Sequence, residues 1–158
     1  MSIEEKKIAA LLEGAKLMEA NGLGDWFILF TDVTTYHAQC RYRQKAILFN
    51  IRSLTVMTKE QFIGTMYHEI AHALVGAWAG HGRTFKEKYY ELSGNMDHAG
   101  YAYKLDTKLR RFILNCTRCG SDGSTNSRRP RYCRSCSTTS NYVRMQSKPN
   151  ELVLLEWA

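Results

Sequence analysis

The run from Thr58 to Phe85, TKEQFIGTMYHEIAHALVGAWAGHGRTF, constrains this chain more than any other stretch. Thr58-Lys59-Glu60-Gln61 has capping-box form and opens a helix expected to run to about Ala79, with Gly80 as its stop. Phe62, Met66, Ile70, Ala73 and Ala77 recur at helical spacing and make an apolar stripe suited to a core. His68 and His72 lie off that stripe, on the side that carries Thr65. Residues four apart on a helix differ by about 40° in direction, so the two imidazoles share a face and can grip one ion. Glu69 can reach a water on that ion. This is the mechanical sense of HExxH: two imidazole ligands and a carboxylate base for the zinc-bound water.

A catalytic zinc needs a third protein ligand and keeps its fourth position open. His81 is the leading candidate. On a continued straight helix it would rise about 13 Å beyond His72, too far to share a metal. The chain must therefore fold back, and Gly80 and Gly82 on either side of His81 make such a reversal sterically easy. Glu87 and Glu91 are alternatives from the next helix, which the capping box Thr84-Phe85-Lys86-Glu87 would start and which would end near Leu92. His98 is a further alternative, while the longer HExxHxxGxxH spacing is absent.

A second metal-ligand pattern lies downstream. Cys116-Thr117-Arg118-Cys119 and Cys133-Arg134-Ser135-Cys136 are CxxC pairs thirteen residues apart, close to the spacing of a four-thiolate zinc site. Gly120 would allow the tight turn of a knuckle. With no open position, this zinc is expected to be structural, so two zinc ions per chain are expected, one catalytic and one structural. Disulfides would need an oxidising compartment, and the charged start MSIEEKK does not read as a secretion signal. The fifth cysteine, Cys40, reads as a small apolar strand residue and His37 as a packing residue.

Charge is segregated along the chain. Tyr103 to Lys148 holds eleven Lys/Arg against two Asp/Glu, while the remainder holds eleven against thirteen, so the C-terminal third carries the whole positive excess. A concentrated surplus of this kind points to a polyanion. Arg118, Arg128, Arg129, Arg131 and Arg134 are placed to meet phosphates, and Tyr132 is placed either to stack a base or to pack on the knuckle. Nucleic acid is the expected partner, single-stranded or partly so, with no membrane partner, since no apolar run approaches the roughly 20 residues of a span.

The rest of the chain supplies a scaffold. Ser2-Ile3-Glu4-Glu5 is another capping box, opening a helix from Ile3 to Ala20. Trp26 to Phe30, Thr35 to Tyr42 and Ala46 to Ile51 have strand character, and their short links favour an antiparallel meander. Asn95 to Tyr103 reads as loop, and Glu151 to Trp157 either adds a strand to the ribbon or packs on the first domain.

HEIAH at His68 to His72, HGRTF at His81 to Phe85, CTRC at Cys116 to Cys119 and CRSC at Cys133 to Cys136 stand in this order after a helix and three strand-like runs. The arrangement resembles the SprT/Spartan metalloproteases over nearly the whole chain, at a length similar to the bacterial SprT proteins. The resemblance implies an α+β fold: a small zincin-like protease domain over residues 1–103, with an N-terminal helix, a three-stranded antiparallel sheet, the HExxH helix and a further helix. A basic zinc ribbon follows over residues 104–158. It also implies a DNA-stimulated zinc endopeptidase that cleaves proteins bound or crosslinked to DNA, with Glu69 as general base. The expected setting is a monomer in the cytoplasm, associated with the chromosome of a bacterial-type or viral system. An extra hydrogen-bond donor for the oxyanion is expected, with Tyr67, Tyr101 and Tyr103 as candidates. The alternative is a nucleic-acid-binding zinc-ribbon adaptor whose protease-like domain is only a scaffold.

Overall fold

Ser2 starts the chain's first helix through a reciprocal pair of bonds. Its Oγ accepts from the Glu5 backbone N–H at 3.2 Å, and the Glu5 carboxylate accepts from the Ser2 N–H at 2.5 Å. Helix α1 then runs over Ile3–Ala20. The computed structural model describes residues 1–33, 35–94, 109–154 and 156–157. Its contacts divide the chain into two compact units, Met1–Lys104 with Val153–Ala158, and Leu105–Leu152. The expected loop from Asn95 to Tyr103 lies outside the described residues, as do His98, Tyr101 and Tyr103.

In unit 1, α1 is followed by strands β1 (Phe27–Thr31), β2 (Ala38–Arg41) and β3 (Ala46–Asn50). The expected antiparallel meander is not what forms. The strand order is β1-β3-β2, with β3 parallel to β1 and antiparallel to β2. The reason lies in the side chains. AILFN of β3 is apolar almost without interruption and buried at four of its five positions, which suits a central strand. In β1, by contrast, Phe27 and Leu29 are exposed and Ile28 is buried, the alternation of an edge. β2 joins β3 through a 3₁₀ turn at Tyr42–Gln44 and Lys45 in the left-handed conformation, so β2 takes the other edge.

Ile51 does not extend β3. The Asn50 side chain accepts from the Arg52 N–H at 2.9 Å and starts helix α2, Ile51–Val56. Thr58 and Gln61 form the expected capping box and open α3, Lys59–Val75. Phe62, Met66 and Ile70 of α3 pack with Ala10 and Met18 of α1 and with Ile28, Ile47, Phe49 and Leu54 into the main core. Helix α4, Arg83–Ser93, packs against α3 and forms a smaller cluster of Ala71, Phe85 and Tyr89. Its N-cap is Gly82, so the expected Thr84 capping box is absent. Thr84 lies inside the helix, and Glu87 instead pairs with Arg83 one turn earlier at 2.7 Å.

The chain's last residues rejoin unit 1, so the segment expected over 104–158 is divided. Trp157 packs on Phe62 with ring centroids 5.0 Å apart, and its Nε1–H donates to the Met57 carbonyl at 2.9 Å. The Lys6 ammonium donates to the same carbonyl at 2.9 Å and to that of Thr55 at 3.1 Å.

Unit 2 holds a three-stranded antiparallel sheet in the order β5-β4-β6, from Asp122–Thr125, Phe112–Asn115 and Gln146–Pro149. Among its described residues, the buried apolar side chains apart from cysteines are Leu109 and Leu114. Of all described residues, none lies in a helix long and apolar enough to cross a membrane.

Candidate metal centres and their surroundings

His68 and His72 project from one face of α3, as their four-residue spacing requires. The helix that carries them ends at Val75, four residues earlier than expected. Gly76 terminates it at φ 86°, a conformation that side chains with a Cβ avoid, and a Cβ there would also meet the Trp78 indole at 3.2 Å. A 3₁₀ turn at Ala77–Ala79 and Gly80, at φ 49°, complete the reversal. Gly82 has an ordinary φ of −71° and caps α4 instead. The reversal returns His81 to the other two histidines.

The three imidazoles meet at their Nε2 atoms. His81 Nε2 lies 3.1 Å from that of His68 and 3.1 Å from that of His72, and the three nitrogens all lie within 4.8 Å of one another. A single imidazole nitrogen offers one N–H or one lone pair, so His81 Nε2 cannot satisfy both neighbours by hydrogen bonding. A cation between them satisfies all three. Nitrogens about 2.05 Å from a tetrahedral zinc stand about 3.3 Å apart, so the donor set fits such an ion. Burial and the neighbouring imidazoles push the His68 pKa down to about 3 and that of His72 to about 4, which keeps both rings neutral at pH 7, the form that ligates metal. Glu87, the first of the alternative third ligands, instead pairs with Arg83, and Glu91 pairs with Lys88.

Phe85 organises the cluster, a role that sequence reasoning missed. Its ring is fully buried, stacks on His72 at 4.3 Å and stands edge-on to His68 and His81 at 4.8 and 5.0 Å. Tyr89, one turn further along α4, lies 6.1 Å from the His68 ring. The signal was present in sequence as an aromatic pair at i and i+4 on the helix that follows His81.

Glu69 faces a cleft of about 410 Å³ that is also lined by the three histidines, Thr65 and Tyr42. Only 6% of Glu69 is exposed. Burial pushes its carboxyl up to about 7, against the pull of the Cys40 backbone N–H. Cys40, on the same wall, is pushed up to about 12 by burial and by Glu69, so its thiol stays protonated. Tyr67 packs in the apolar cluster around Phe85; among the described residues, the tyrosines that line the cleft are Tyr36, Tyr42 and Tyr89.

In unit 2 the four cysteine sulfurs also lie within 4.8 Å of one another. Cys116 and Cys136 are 3.9 Å apart, and Cys119 and Cys133 are 3.6 Å apart. Both distances far exceed the roughly 2.05 Å of a disulfide. Sulfurs about 2.3 Å from a tetrahedral zinc are about 3.8 Å apart, so this set also fits an ion. Two knuckle turns build it. The Gly120 N–H donates to the Cys116 carbonyl at 2.8 Å, with Gly120 at φ 72°, and the Ser137 N–H donates to the Cys133 carbonyl at 3.0 Å.

The arginines expected to meet phosphates do not all converge. Arg128, Arg129 and Arg131 share a groove of about 970 Å³ with Arg144 and Lys148, two cations that sequence reasoning did not single out. Arg118 and Arg134 are exposed but do not line it. Tyr132 is half exposed, stands beside the groove-lining Arg131 in sequence, and lies 5.5 Å from the ring of Tyr142.

Compared with known proteins, the chain matches no family model, no curated protein and no solved structure.

Proposed function

We propose that this chain is a zinc-dependent endopeptidase of the SprT/Spartan kind, acting on proteins bound or crosslinked to DNA. The observation that carries the reading is the meeting of three Nε2 atoms beside a buried carboxylate in an open cleft. His68, His72 and His81 would hold the catalytic ion, and Cys116, Cys119, Cys133 and Cys136 the structural one. A zinc ion on three nitrogens supplies a Lewis acid that brings the pKa of water to about 7 and polarises a carbonyl. Glu69, buried on the wall of the same cleft, would take the proton of the attacking water and deliver it to the leaving amine. Phe85 fixes the orientation of the imidazoles by packing on each of them.

The groove formed by Arg128, Arg129, Arg131, Arg144 and Lys148 supports DNA as the partner, because closely placed cations release condensed counterions when they meet phosphates. Binding to DNA would raise the concentration of DNA-bound proteins near the cleft, so that location would select the substrate. The test combines purified chain, DNA and a DNA-binding substrate protein, with Glu69→Gln alongside and a zinc count. Cleavage that needs both DNA and Glu69, at two zinc ions per chain, supports the reading. DNA binding without Glu69-dependent cleavage makes the chain an adaptor, and equal cleavage with and without DNA removes DNA from the function.

A further inference from the structure

Ser121 stands just after the first CxxC pair, and its hydroxyl reaches sulfurs of both pairs. Its Oγ lies 3.0 Å from Cys119 Sγ and 3.3 Å from Cys133 Sγ. The position is fixed by the backbone, since the Ser121 carbonyl accepts from the Cys116 N–H at 2.9 Å. Burial is unequal around the four-cysteine set: Cys116 and Cys133 are buried and Cys119 is exposed. The hydroxyl therefore sits on the vertex that water and competing ligands reach most easily, and links it to a buried vertex contributed by the other knuckle.

We propose that Ser121 is a positioning residue of the four-cysteine metal site, donating its O–H to the Cys119 and Cys133 sulfurs and thereby slowing loss of the ion. The inference rests on the reading of these cysteines as metal ligands and is independent of any protease activity. Four thiolates around a divalent ion carry a net charge of about −2, and a donated hydrogen bond withdraws part of that charge from sulfur. One hydroxyl has one proton, so it serves one sulfur at a time and moves between two that are almost equally near. While it serves Cys119, it holds that sulfur's lone pair against protonation by water, a step that competes with the metal bond. Partners of this kind, beyond the ligands themselves, are worth roughly 10–100-fold in metal affinity.

The test uses the full chain loaded with cobalt(II). Thiolate-to-cobalt charge-transfer absorption reports the four-cysteine site, because the His68, His72 and His81 donor set has no sulfur, and a Cys40→Ser background removes the thiol on the cleft wall. Decay of that absorption after addition of excess EDTA is followed in the parent, Ser121→Thr and Ser121→Val. Thr and Val have the same shape and differ by the hydroxyl. The Val variant is expected to lose cobalt about tenfold faster, with the Thr variant close to the parent. A Val variant that never loads, beside a Thr variant that does, is the same result at its extreme. Thr and Val behaving alike, both as the parent or both impaired, overturns the proposal, because shape and not the hydroxyl then sets retention. A parent without charge-transfer absorption overturns the metal reading and this inference together, whatever the cleavage assay shows.

Discussion

The two units are held together by different means. Unit 1 buries Phe49, Phe62, Met66, Ile70 and their neighbours in one cluster, and Ala71, Phe85 and Tyr89 in another. Among its described residues, unit 2 buries Leu109, Leu114 and two of its four cysteines, Cys116 and Cys133. About 25 cal/mol per Å² of apolar burial can support the first fold but leaves the second with little beyond its sulfurs. The two candidate metal-ligand sets differ in the same sense. The histidine set leaves one side open to a cleft, whereas the cysteine set has four donors and no vacancy for a substrate. On the proposed reading, unit 1 has a core apart from its histidine set, whereas an ion on the four cysteines would serve unit 2 in place of a core.

Metal removal is the largest way to break this contrast. Structural zinc contributes roughly 10–16 kcal/mol in small four-ligand domains, so a chelator, or Cys133→Ala, should abolish amide protection in β4–β6 and leave that of α1 and α3. Loss of protection in α1 and α3 together with the sheet would show that the ion supports both units. Next in size, Glu69→Gln should lower the proposed cleavage by about 10²–10⁴-fold with two zinc ions retained. An active Glu69→Gln variant would remove the carboxylate from the chemistry. Phe62→Ala should cost unit 1 about 3–5 kcal/mol in denaturant unfolding and leave cobalt–thiolate absorption unchanged. A change in that absorption would show that the core of unit 1 governs the cysteine site. Smallest is Arg128→Ala, expected to reduce the slope of log affinity for DNA against log salt by about 1. An unchanged slope would take Arg128 off the phosphate path.

Local signals were the legible ones. The Ser2 and Thr58 capping boxes place the starts of α1 and α3 from residues three apart, whereas the same pattern at Thr84 misplaced the start of α4, which Gly82 caps. The His68–His72 pair is legible at the same short range. Strand order was not, because the meander rested on link lengths while burial decided the outcome, placing the most continuously apolar strand between two partly exposed ones. Helix α2 was hidden because Ile51, a β-branched residue, read as the end of the third strand, and the Asn50 cap that starts the helix is seen only in the folded chain. Gly76 was passed over in favour of Gly80 as the helix stop, since both are glycines and only the backbone shows where the turn begins. The groove cations Arg144 and Lys148 are distant in sequence from the Arg128 cluster; Arg144 comes beside it through an antiparallel bridge to Tyr132, and Lys148 lies on β6, which pairs with β4.

Trp157 has a temporal consequence. A ribosome delivers α1 through α4 first, the four cysteines next and this indole only after them, yet the indole packs on Phe62 and bonds the Met57 carbonyl near the start of α3. Unit 1 therefore emerges without this indole and acquires it only after unit 2 has been translated in full. Until then Phe62 stays uncovered on that side, and a nascent chain stalled inside unit 2 presents an unfinished first unit to chaperones and proteases.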